Sequence, residues 1–110
     1  MSLYLYQLSY TAESLAAQVR HPEDRMEAAA RPVVEKVGGT LLGGGFCFGD
    51  YDAAFIYEAP DDEAAAAIAL AVGAGGAVKT ARTTKLLSGE QWVSALTRAA
   101  EVSDVYKPSL

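Results

Sequence analysis

Cysteine and histidine are nearly absent from this chain: its 110 residues hold one of each, Cys47 and His21. A single thiol excludes an internal disulfide, and so few N and S ligands leave little from which to build a transition-metal site. Positive charge is also scarce. Nine Lys and Arg stand against 14 Asp and Glu, for a formal net charge of −5. Such a surface repels phosphate backbones, so nucleic acid and anionic membranes are not expected partners. The densest basic stretch, Lys79, Arg82 and Lys85, divides between the two faces of a strand and reads as protection of an exposed sheet edge. No long hydrophobic run occurs, and the opening MSLYLYQLSYT lacks the basic n-region of a signal peptide. A bacterial-type cytoplasm is the location expected from these absences, and no cofactor is implied.

What is present is ordinary for a soluble globular chain. About half the residues are apolar and a fifth charged, which is enough for one cored domain and too few residues for two. The expected division is a single domain over residues 1–100 and a tail over 101–110.

The elements can be placed from periodicity and cap chemistry. Leu3 to Tyr10 is aromatic-rich and strand-like, with Tyr4, Tyr6 and Tyr10 on one face. Thr11 is a candidate N-cap for a short helix holding Leu15 and Val19. A second helix is expected from His21-Pro22-Glu23-Asp24, with proline in its first position. Its inner face would be Met26, Ala29, Ala30, Val33, Val34 and Val37. Pro32 should kink or break it, and Gly38-Gly39 should end it. Thr40 to Phe48 reads as a strand in which Gly43-Gly44-Gly45 marks a bulge or a close backbone approach. Gly49-Asp50-Tyr51 supplies a turn into the strand Asp52–Ala59. Asp61 or Asp62 caps an alanine-rich helix that stops at Gly73–Gly76. The strand Ala77–Leu87 follows, and Ser88-Gly89-Glu90-Gln91 has the form of a capping box before a last helix.

The order β, α, β, β, α, β plus one helix suits an α+β, ferredoxin-like four-stranded antiparallel sheet with its two main helices on one face. The strand Ala53–Ala59 is apolar on both faces, however, and those helices cover only one. A second copy of the chain is the simplest cover for the other, which makes a homodimer, or a higher even oligomer, the expected assembly.

Gly49-Asp50-Tyr51-Asp52, followed by Glu58-Ala59-Pro60-Asp61-Asp62-Glu63, resembles the GYD-domain proteins, small bacterial and archaeal proteins named for a Gly-x-Tyr-Asp motif. Tyr10-Thr11, Arg25, Gly38-Gly39 and Thr80 also fall where that pattern places them, and the resemblance spans about residues 3 to 95. It implies a dimeric α+β barrel, in which the sheets of two ferredoxin-like subunits pack together. It implies no activity. Pro32 and the three glycines at 43 to 45 depart from the pattern.

Candidate ligand-binding residues are Tyr51, Asp52, Glu58, Tyr6, Arg25 and His21. Asp50 and Asp52 flanking Tyr51 offer acid–base groups. They are equally the residues of a turn, with Asp52 pairing backbone amides at the strand start and Tyr51 packing its ring, and this reading is the simpler. Glu58 falls in a strand with buried neighbours, where a carboxylate draws attention, though its place near the strand end lets water reach it. His21 could serve as an acid–base group or haem ligand, but beside Pro22 it reads as an exposed cap. Arg25 could hold an anion, and a surface pair with Glu23 accounts for it as well. Tyr4, Tyr6 and Tyr10 could line a pocket or fill an interface. Cys47, between two phenylalanines, reads as a small core residue. No nucleophile–base pair can be picked out, and no catalytic residue is assigned. Two functional classes stay open: a small-molecule-binding or regulatory module, which is favoured, and a cofactor-independent enzyme of oxygenase or isomerase type with a pocket between sheet and helices.

Overall fold

In the computed structural model, which describes residues 1–110, hydrophobic periodicity becomes a two-layer α+β fold. The strands are β1 (Ser2–Tyr10), β2 (Thr40–Phe46), β3 (Ala53–Ala59) and β4 (Val78–Leu86). They form one antiparallel sheet in the order β2-β3-β1-β4, the ferredoxin-like arrangement with β1 and β3 central. The helices are α1 (Ala12–Arg20), α2 (Arg31–Lys36), α3 (Asp62–Ala74) and α4 (Gly89–Ser103), with a π-helical turn at Met26–Ala30 leading into α2.

Register assigns the faces. Tyr4 pairs with Tyr57, Tyr6 with Phe55 and Leu8 with Ala53, and all six are buried beneath the helices with Leu41, Ala59, Val34, Ala65 and Ile68. The aromatics form the centre: Tyr4 stacks on Tyr57 at 5.2 Å between ring centroids, and Phe55 tilts against Tyr6 and Tyr57. The opposite parity carries Leu3, Leu5 and Gln7 on β1, and Ala54, Ile56 and Glu58 on β3. Leu86, Thr84 and Arg82 lie beside them on β4. No helix covers this second face, as the two-sided apolar pattern of β3 anticipates.

The caps follow their chemistry. Thr11 Oγ1 accepts the Ser14 N–H at 3.1 Å, and Asp61 Oδ1 accepts the Ala64 N–H at 2.9 Å. Ser88 and Gln91 form a reciprocal capping box. Gly38 ends α2 at φ +83°, a left-handed conformation that favours glycine. On β2 the pairing skips Leu42 as a bulge, and Gly44 passes so close to β3 that a Cβ there would lie 2.5 Å from the Ala54 carbonyl oxygen. The glycine run therefore supplies the close approach, while the bulge falls one residue before it, at Leu42.

The first long helix departs from expectation at its start and its middle. His21 to Asp24 is not helical. Asp24, not Pro22, opens the helix, its carboxylate accepting the Met26 N–H at 3.0 Å. Helical structure runs through Pro32 without a break, from the π-helical turn directly into α2. Pro32 has no N–H to give the Ala28 carbonyl, and its ring would crowd that oxygen. The turn before it widens instead, and the Arg31 N–H reaches back five residues to the Met26 carbonyl.

One further correction concerns a residue read as packed, and the last helix adds a feature of its own. Cys47 is an exposed free thiol, because β2 ends at Phe46 and the chain leaves the sheet before it. Its sulfur donates to the Tyr51 carbonyl at 3.1 Å. The final helix, α4, continues to Ser103, into the stretch expected to be tail. Trp92, Leu96 and Ala99 do lie on one side of it, yet none of its residues is buried and it makes no substantial packing contact with any other element. The molecule measures 59 × 34 × 22 Å, with a radius of gyration of 17.5 Å. A compact chain of this length would have a radius of roughly 13 Å. No helix is long and apolar enough to cross a membrane.

Candidate functional site

Small side chains on facing elements leave a cavity between the two layers. Ala29 and Ala30 from the π-helical turn and Ala71 and Gly75 from α3 stand over Ala53 on the sheet. The space beneath them is about 310 Å³, at the lower end of the range for small-molecule pockets. Its floor is Tyr6, Leu8, Tyr10 and Phe55, and its roof adds Met26, Val33, Ile68 and Val72. Phe46 and Val78 close its sides, and Arg25 is the one charged residue in the wall.

The polar atoms of the wall are few. The Tyr6 hydroxyl is buried and has no hydrogen-bond partner, and burial pushes its pKa up. Tyr10 is half-buried. Burial pushes its hydroxyl up, the Arg25 guanidinium beside it pulls the other way, and the Asp52 carboxylate adds a small push upward. Arg25 holds Glu23 at 2.8 Å, an exposed pair that leaves other guanidinium N–H groups free.

A second polar cluster lies outside the cavity. The Tyr4 hydroxyl donates to Asp62 Oδ1 at 2.6 Å, and Lys85 Nζ meets the same oxygen at 2.9 Å. The Tyr4 bond, and then Lys85, hold the Asp62 carboxyl below its usual range. Behind Tyr4 the Tyr57 hydroxyl is buried without a partner. Its pKa is pushed up to about 12, mainly by burial and then by Tyr4 and Tyr6.

The sequence candidates divide between several places. Tyr6 and Arg25 line the cavity. The three tyrosines Tyr4, Tyr6 and Tyr10 all face the helices and not the uncovered side of the sheet. His21 is exposed and borders a shallow polar groove beside α1 that also touches Arg25. Glu58 is half-buried on the uncovered face, opposite Leu3 and Thr40, on the far side of the sheet from the cavity. Tyr51 is half-buried in the turn between β2 and β3, outside the cavity wall.

Asp52 is a clasp. Its Oδ2 accepts the Tyr10 N–H at 2.8 Å. Its own N–H donates to the Leu8 carbonyl and its carbonyl accepts the Cys47 N–H, both at 2.8 Å. Two of these bonds tie the β2–β3 turn to the end of β1, beside the register shift between Ser9 and Tyr10, and the third closes the turn on itself. The Gly-x-Tyr-Asp stretch therefore serves as a structural joint between the β2–β3 turn and β1, with Gly49 at φ +153°, a backbone conformation that residues with side chains rarely adopt.

Most of the cavity wall was read from sequence only as core. The signal that distinguishes the two is size: Ala29, Ala30, Ala53 and Ala71 are too small to fill the space between elements held apart by Phe55, Ile68 and Met26. No curated protein matches the chain. The GYD domain family model matches residues 4–96 of the chain, so the chain belongs to the GYD domain family.

Proposed function

We propose that the chain is a homodimeric small-molecule-binding or regulatory module whose ligand occupies the cavity between sheet and helices. One observation carries the reading: the two layers enclose a space of about 310 Å³ lined almost wholly by hydrocarbon, with Arg25 as the one charged residue at its wall. A concave apolar space with a sparse polar group in its wall is the usual form of a small-molecule site. The enzyme reading draws less support. It needs Tyr51 and Glu58 in one cavity, and neither residue lines the cavity between sheet and helices.

Two uncovered apolar surfaces support the dimer. One is the sheet face bearing Leu3, Leu5, Ala54, Ile56 and Leu86. The other is the stripe of Trp92, Leu96 and Val102 along α4, which projects from the body with those residues more than half exposed. A 15-residue helix is marginal in water without packing, so the stripe calls for a covering surface. A second copy of the chain is the simplest surface to cover it.

Native mass spectrometry on gently purified protein tests both parts. The expected result is a dimer mass carrying additional, dissociable mass of a small molecule. A monomer would overturn the assembly. A clean dimer in which indole, used as an apolar probe, shifts no NMR signals of Val33, Phe55, Ile68 or Val72 would overturn the cavity as a binding site.

A further inference from the structure

The uncovered face of the sheet carries one charge of each sign, and the register fixes where they stand. Glu58 lies beside Leu3 on one side of the face, and Arg82 lies beside Gln7 on the other. Leu5 is midway between them. Glu58 is one strand over and two residues along in one direction, Arg82 one strand over and two residues along in the opposite direction. At ordinary strand spacings the two are about 17 Å apart, beyond pairing within the chain. Neither takes part in an ion pair, and Leu5, Ile56 and Leu86 make the ground around them apolar. We propose that this face docks on the same face of a second copy about a two-fold axis over Leu5, so that Glu58 of each protomer pairs with the partner's Arg82. The proposal rests on the homodimer reading and goes on to assign the register of the contact and the charges that select it.

Symmetry and desolvation carry the assignment. A face that meets its own copy about a two-fold makes every contact twice. Opposite charges set symmetrically about one point satisfy that rule when the axis lies between the sheets, at right angles to the line joining them. The strands of the two sheets then cross at roughly 70°, nearer to the orthogonal class of packing than to the aligned one. Aligned packing over the same point fails on charge. An axis parallel to the strands sets Glu58 on the partner's Leu86 and Arg82 on the partner's Ala54, and an axis across the strands exchanges those placements. Either way every charge loses water against hydrocarbon and gains no partner. The crossed arrangement alone matches all four. Arg82 is exposed on the edge strand and Glu58 is half-buried near the end of β3, so the pairs fall at the margin of the apolar patch. Charges placed there choose partner and register more than they add affinity. Glu58, a half-buried carboxylate with no cavity beside it, thereby gains a role.

Charge reversal tests the pairing. E58R sets positive charges over each other at both contacts, and R82E sets negative charges there. In sedimentation equilibrium each variant alone should dimerise at least about tenfold more weakly than the unaltered protein. The double variant E58R/R82E reverses the pair and should recover most of that loss. Mixing gives the sharpest reading. E58R combined with isotope-labelled R82E restores opposite charges at both contacts, so native mass spectrometry should show a heterodimer well beyond its statistical share. Mixing does not mend a damaged fold, so this recovery separates pairing from folding. A single variant that dimerises as tightly as the unaltered protein, or a mixture with no excess of heterodimer, overturns the pair and leaves the homodimer standing. An unaltered protein that stays monomeric at high micromolar concentration overturns the homodimer and its register together.

Discussion

Asp52 and Tyr57 show at the scale of single residues how different two buried-looking polar groups can be. Asp52 is fully used: its carboxylate and N–H both hold the end of β1, and its carbonyl holds Cys47 across the turn. Truncation to alanine leaves the half-buried Tyr10 N–H unpaired, and should cost about 1–3 kcal/mol in chemical denaturation. Asn keeps one acceptor oxygen and should recover most of that loss. If D52A unfolds at the same denaturant concentration as the unaltered protein, the clasp is not what holds the turn. Tyr57 is the opposite case, a hydroxyl with nothing to bond. Its folded pKa, about 12, stands above the ordinary tyrosine value of 10.0. The sign follows from that direction: stability is fully present below pH 10 and drains away as pH rises toward 12, because the unfolded chain ionises first. The loss integrates to roughly 3 kcal/mol. Y57F should therefore be no less stable at pH 7 and should flatten this alkaline slope, as a pH series of melting curves would reveal. An unchanged slope would place the titration on another group.

At the scale of elements, the π-helical turn is the feature that shapes the cavity roof. It is driven by Pro32 and it sets the angular positions of Met26, Ala29 and Ala30 over the sheet. P32A restores an N–H donor for the Ala28 carbonyl. It should convert the wide turn to a regular one, raising stability by roughly 1 kcal/mol while weakening whatever the cavity binds. Amide exchange across residues 28 to 32, with a denaturation midpoint, would register both effects. A midpoint at or below that of the unaltered protein would show that the turn is strain-free. Caps, strand faces and the order of elements were legible in the sequence because each depends on neighbours in the chain: Thr11 on Ser14, Asp61 on Ala64, Ser88 on Gln91. The π turn was not, since a proline at position 32 announces a disruption but not which carbonyl is skipped. The exposure of Cys47 was hidden as well. Phe46 and Phe48 on either side suggest a core, yet both are exposed, Phe48 almost entirely. Of the candidate site, Tyr6 and Arg25 could be named from sequence. That they share a cavity while Glu58 does not depends on register and on a missing volume of side chain, neither of which a linear pattern displays.

The scale of the whole molecule is where the uncovered surfaces count. Ile56 sits at the middle of the bare sheet face, between Leu5 on β1 and Gly43 on β2, and is 38% exposed in the single chain. I56R adds a charge there without touching the buried layer. The expected result in sedimentation is a folded monomer in place of a dimer. A dimer that survives I56R would move the contact to α4, where the exposed Trp92 offers a fluorescence reporter.

Strand order has a consequence of its own for how the chain acquires its structure. β1, made first, is central, and its partners are β3 and β4, so Leu3 ends up beside both Glu58 and Leu86. A chain growing from its N-terminus thus emerges with its most aromatic strand unpaired on both edges until β3 has been made, and on one edge until β4 follows. Contacts of such sequence separation close slowly, and a tyrosine-rich strand with two free edges invites pairing with its neighbours meanwhile. The net negative charge of the chain opposes that mispairing.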